Sequence, residues 1–142
     1  MSHILPPPQT REFVDRLTSL AIECREELEH SSQSLQEIGL LLSQTQSEVD
    51  RLTQRETQQA TRLREMESSL ESFSRGEIRD TYIASHEVQM RLFMMRSQLE
   101  VLQSRRESIE AQQGKLRILL SLAEVNRSQA AEITTNTRTT LL

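Results

Sequence analysis

Proline is confined to Pro6-Pro7-Pro8, and none follows in the rest of the chain. Glycine occurs three times and tryptophan not at all. Loops and tight turns draw heavily on proline and glycine, so this scarcity argues against a sheet-and-turn architecture. Aromatic residues are equally sparse, with three Phe and one Tyr, and apolar residues make up 35% of the 142. A folded globular domain usually has roughly 45–50%, counting glycine, so there is little here from which to build a globular core. The single cysteine, Cys24, excludes an intrachain disulfide framework and fits a reducing compartment. No apolar run approaches the ~18–20 residues that cross a bilayer, and no basic-then-apolar leader opens the chain. The expectation is a cytoplasmic protein with no membrane partner. Charge of one sign is also lacking: 21 acidic and 17 basic residues are intermixed and leave a net −4. Duplex nucleic acid demands a basic stripe, and there is none, so no nucleic-acid partner is expected.

What the chain does have is helix-forming residues in a heptad. From Val14 one series runs Val14, Ala21, Leu28, Leu35, Leu42, Val49, Glu56, Leu63 and Leu70. Its companion runs Leu17, Cys24, Ser31, Ile38, Thr45, Leu52, Gln59, Met66 and Phe73. The alternating three–four spacing is the 3.5-residue repeat of a left-handed coiled coil. About sixty residues at 1.5 Å each give a helix of about 90 Å, which needs another helix along its seam. A second repeat reads Ile78, Ser85, Leu92, Leu99, Arg106, Gln113, Leu120 and Arg127, with Val88, Met95, Leu102, Ile109, Leu116, Ala123 and Ala130 beside it.

Between the two repeats lies Phe73-Ser74-Arg75-Gly76-Glu77-Ile78. Ser74 is suited to cap a helix starting at Arg75, and Glu77 stands where a capping-box carboxylate would. Phe73 and Ile78 flank the cap as a hydrophobic staple. Gly76 is expected to relax the backbone at the bend. The chain therefore reads as an all-α, long antiparallel helical hairpin. A proline-rich disordered lead covers 1–10, the two-helix domain 11–133 (helix 11–73, turn 74–76, helix 77–133), and a flexible or helical connector 134–142. Thr10 is the expected cap of the first helix. Extra apolar residues off the seam (Tyr82, Met90, Phe93, Met94, Ile118, Leu119, Leu122, Val125) widen the stripe beyond one neighbour. That predicts a homodimer, with a four-helix bundle over part of the length.

Folding at residue 75 or 76 sets Thr45 opposite Arg106, Ile38 opposite Gln113, Glu56 opposite Met95 or Arg96, and Glu65 opposite His86. Thr45, Glu56, Arg106 and Gln113 then form polar seam layers. Such layers cost stability; they either fix register, as ordinary imperfections of a long coiled coil do, or let one helix shift against the other. His86 has no second His or Cys at ligand spacing, so no metal site is expected; it reads as a structural histidine or as a pH-responsive neighbour of a carboxylate. Cys24, on the seam, reads as a small buried hydrophobe rather than a redox sensor. Tyr82, His86, Phe93 and Met94 near the turn form the candidate surface for a protein partner, with packing between subunits as the other reading of the methionines. No catalytic constellation is present and no cofactor is expected, and a pair of helices is expected to leave no ~300 Å³ cavity for a small-molecule ligand.

Phe73-Ser74, Glu77-Ile78-Arg79, Tyr82, His86, Gln89 and Leu92, followed by heptads through Arg105-Arg106, Ile109, Leu116 and Leu120, resemble the N-terminal sensory domain of DegS-type histidine kinases. The resemblance spans 17–133 and is most specific over 73–92. It implies a cytoplasmic, dimeric signal-input hairpin feeding a downstream kinase core, which autophosphorylates with ATP and passes the phosphoryl group to a response regulator. The family's phosphoacceptor and nucleotide-binding motifs have no counterpart here, so the resemblance implies a catalytically inert sensor piece, and His86 is not its phosphoacceptor. The alternatives are a structural coiled-coil scaffold and a helical-arm adaptor or chaperone.

Overall fold

A computed structural model describes the backbone of residues 8–140 and the side chains of 11–133. The expected lead before Pro8 and the terminal Leu141-Leu142 lie outside the described residues, as do the side chains of the Thr-rich connector. Two long helices account for nearly all of the described chain: α1, Pro8–Ser68, and α2, Arg75–Thr140, with a short 3₁₀ turn at Leu70–Ser72 between them. The fold is an all-α, two-helix hairpin with no strand among the described residues.

Both helix starts differ slightly from expectation. α1 begins at Pro8, so Thr10 falls inside it rather than ahead of it. Proline suits the first helical position because its missing N–H would have no partner there. α2 begins at Arg75, directly after the expected Ser74 cap and two residues before the 77 at which the expected turn ends, and runs on into the Thr-rich segment as far as Thr140.

The end of α1 is the larger correction: the helix stops at Ser68, five residues before Phe73. The Ser68 hydroxyl donates back to the Glu65 carbonyl at 2.9 Å, competing with the helical ladder. Ser69 leaves helical space at φ −141°, ψ 50°, and its N–H pairs with the Met66 carbonyl at 3.2 Å. The Ser72 N–H then closes on the Ser69 carbonyl at 2.9 Å. Leu70, expected in the seam, is therefore outside the helix and 57% exposed.

The chain divides into two compact units. One pairs the residues up to Leu35 with those from Glu107 onward; the other, Gln36–Arg106, carries the turn. In the turn unit Val49 and Leu52 of α1 pack with Val88 and Leu92 of α2, and Met95 lies against them. Leu52 and Leu92 are each 1% exposed. Full burial of such a leucine contributes about 1.5–3 kcal/mol, so this cluster is the main apolar anchor of the unit. The other unit buries smaller side chains: Ala21, Cys24, Ala123 and Ala130. In both units the buried positions are those the heptads mark, which is what puts the polar seam residues inside.

Candidate functional site

Ser74 is the cap of α2. Its Oγ accepts the Glu77 N–H at 3.1 Å, and its carbonyl accepts the Ile78 N–H at 3.1 Å, satisfying two of the helix's first donors. Phe73 is extended (φ −122°, ψ 143°), and both it and Ile78 are half-buried. Glu77 adds negative charge to the first turn, where the helix dipole favours it. Gly76 does not perform the role expected of it. It lies inside the first turn of α2, and no described glycine has positive φ. The reversal is made by Ser69 to Ser74 without a positive-φ residue.

On the outer surface next to the turn, the Tyr82 hydroxyl donates to Glu67 Oε1 at 3.0 Å, tying α2 to the last turn of α1. The neighbouring carboxylate, by that hydrogen bond first and its charge second, pushes the Tyr82 phenol up from its ordinary value. Tyr82 is 49% exposed, Phe93 69% and Met94 65%, and His86 is exposed as well. Tyr82, His86 and Phe93, at i, i+4 and i+11, share one face of α2; Met94 is turned to the side. His86 and Glu65 are both exposed, and no ion pair joins them among the described residues.

The four polar seam residues meet different fates. Gln113 is 4% exposed, and its Nε2 donates to Ser31 Oγ at 3.0 Å and to Ser32 Oγ at 3.4 Å. Ser31 in turn donates to the Leu28 carbonyl at 3.0 Å, so the amide sits in a connected network instead of facing Ile38. Thr45 is buried, whereas Arg106 is exposed, so they do not make one buried layer. Glu56 is half-buried, and its expected neighbour Met95 packs on the Val49–Leu92 cluster.

These corrections have one cause. α1 ends early, which moves the reversal back toward the N-terminus by about four residues. The partner of a buried seam residue such as Gln113 then moves by about twice that, close to one heptad. A heptad shift leaves the buried faces unchanged and replaces the partners along the seam.

Several residues gained roles that the sequence reading did not assign. Glu48 accepts from Arg51 (2.6 Å) and lies 3.3 Å from Arg91 on the other helix. The Arg51 hydrogen bond, with the charges of Arg51, Arg91 and Arg55, holds the Glu48 carboxyl below its ordinary value. Arg25 and Glu124 form an ion pair in the other unit. Cys24, by contrast, is the small buried seam residue expected: it is 2% exposed, and burial, with Glu27 and Glu23 nearby, pushes its thiol up. Thr81 and Ser85 are buried at 7% and 8%, and Gln59 Oε1 is buried without a hydrogen-bond partner. Thr81 sits one heptad before Val88, so the repeat already contained the signal for it.

Among the described residues no group of three or more His, Cys, Asp or Glu could hold a metal ion, and no helix is long and apolar enough to cross a membrane. The arrangement is that of a two-helix coiled-coil module whose distinctive features are a capped turn, a polar-interrupted seam and exposed apolar residues on α2. Residues 15–136 match the family described as DegS, sensor protein DegS, and the chain belongs to that family. It is a sensory helical domain of that family, associated with signal transduction through it. No curated protein and no solved structure gives a significant match.

Proposed function

We propose that this hairpin is the signal-input domain of a cytoplasmic two-component histidine kinase, working as a homodimer that passes a conformational change to a downstream kinase core and so to a response regulator. The observation that carries this reading is the match to the sensor family over 15–136. Support for the dimer comes from Ile83, Met90, Met94 and Val101, which are 50%, 50%, 65% and 66% exposed. Their spacing of seven, four and seven is the heptad of a helix with a second helical neighbour, away from the seam that α1 occupies. The turn end, with Tyr82, His86 and Phe93 on one face, is the docking point for a protein that supplies the signal. The grooves of about 530 and 320 Å³ along the helix pair are open and not enclosed, which favours a protein input over a small molecule.

The test uses the full-length protein that carries this domain. Purified with ATP, it should autophosphorylate, and Tyr82→Ala with Phe93→Ala should change its response to the stimulus while leaving the basal rate intact. A full-length polypeptide with no kinase region, and no kinase stably bound to it, would contradict the reading. Light scattering on the 142-residue chain should give a dimer that Met90→Glu with Met94→Glu converts to monomer. A monomeric wild type would remove the dimer from the proposal.

A further inference from the structure

The seam of the turn unit changes character between Leu52 and Leu63. On one side stands the apolar block of Val49, Leu52, Val88 and Leu92; on the other, toward the turn, Met66 is 1% exposed. Between them α1 presents Glu56 and Gln59, and α2 presents Thr81 and Ser85, four polar side chains at seam positions. Thr81 and Ser85 are buried, and Gln59 Oε1 is buried with no donor. Thr81 does not supply that donor, because its hydroxyl is committed to the Glu77 carbonyl at 2.8 Å. An open groove of about 320 Å³ adjoins the layer, lined by Gln59, Arg62, Glu77, Asp80, Thr81 and Ala84. Ala84 and Ser85 are too small to fill a seam that a leucine would close.

This layer differs in kind from the one at Gln113. There the amide has two serine hydroxyls and the packing is specific. Here an acceptor goes unpaired, and water in the adjoining groove can pair it only if the layer opens.

We propose that the Glu56–Gln59 and Thr81–Ser85 layer is a release point, at which the two helices part locally while the Val49–Leu92 block on one side and the buried Met66 on the other stay packed. Gln59 is the positioning residue. When it swings outward, its carbonyl gains water, and the layer gives up little apolar contact. The closed and open arrangements are therefore close in free energy, the condition under which a modest differential contact shifts the population. That a bound protein exploits the release point rests on the signal-input reading; the opening itself does not.

Hydrogen exchange read by mass spectrometry on the complete 142-residue chain tests it. Peptides covering 56–62 and 79–85 should exchange at least about tenfold faster than those covering 46–53 and 88–95. Gln59→Leu should slow the first pair by about tenfold and leave 107–133 unchanged. Thr81→Val, which keeps the side-chain shape and removes the hydroxyl, should slow them in the same direction and stands in if Gln59→Leu loses its helical circular dichroism. Uniform protection across the turn unit, or no slowing in a folded variant, overturns the release point. Slowed exchange with unaltered kinase output upholds the release point and counts against the signal-input reading alone.

Discussion

Gln113 donates to Ser31 across the hairpin at 3.0 Å, one heptad away from the Ile38 that a turn centred on residues 75 and 76 would set opposite it. A buried amide satisfied by two serines costs apolar contact but favours one register over its neighbours. Gln113→Leu should therefore raise thermal stability, by about 1 kcal/mol, while making register variants easier to form. Ser31→Ala should lower it by a similar amount, because it strands part of the amide. Thermal denaturation followed by circular dichroism separates the two, and a loss of stability in Gln113→Leu would contradict this account of the layer.

Ser74 and Gly76 sit two residues apart and should respond in opposite directions. Ser74→Ala removes the acceptor for the Glu77 N–H and should cost about 1 kcal/mol. Gly76 is helical without positive φ, and a Cβ added there meets nothing nearer than Ser74 Oγ at 3.9 Å. Gly76→Ala should accordingly stabilise, by about 0.5–1 kcal/mol, through the lost freedom of the unfolded chain. A destabilised Gly76→Ala would mean that the bend needs its glycine after all.

The heptad made much of this legible in advance. Cys24, Ile38, Leu52, Met66, Val88, Leu92 and Ala123 were all assigned to the seam from spacing, and all are buried. Ser74 was identified as the cap because a serine before an apolar repeat, with glutamate three residues on, has few other uses. What failed was partner assignment. Spacing reports which face is buried and is blind to a slip of seven, since such a slip keeps every buried residue buried. Only the helix end could have decided it, and that lies at Ser69, where the backbone leaves helical space. The candidate surface stands differently. Tyr82, Phe93 and Met94 were singled out as apolar residues off the seam, and their exposure leaves open what covers them. The spacing marks Gln59 as a seam position and nothing more, because a missing donor is a property of the packed pair and not of one strip of sequence.

Leu92 is 1% exposed at the centre of the apolar block. Leu92→Ala should cost about 2–5 kcal/mol, enough to unfold much of a marginal hairpin at 37 °C. Gln103→Ala, at an exposed position of the same helix, should stay within about 0.5 kcal/mol. Equal effects in urea denaturation would mean that the described burial pattern is not the one in solution.

Glu48 gives the hairpin an acid-sensitive contact. Its folded pKa is lowered, first by the hydrogen bond from Arg51 and then by the charges of Arg51, Arg91 and Arg55. Its contribution is thus present above the unfolded value of about 4.3 and is lost as pH falls through the folded value. Glu48→Gln should flatten the acid limb of the stability profile below about pH 5 and lower stability slightly at pH 7. An acid limb unchanged in the variant would assign the effect to other carboxylates.

The site, the release point and the face left for a second copy all presuppose that α1 and α2 of one chain run antiparallel with Glu48 beside Arg91. Cysteine pairs at Glu48 with Arg91, and at Glu48 with Gln103, in a Cys24→Ala background and treated with a short bismaleimide, test that arrangement directly. A fast intrachain link for Glu48 with Arg91, and none for Glu48 with Gln103, is the predicted result. A link through Gln103, or links formed only between chains, would contradict it.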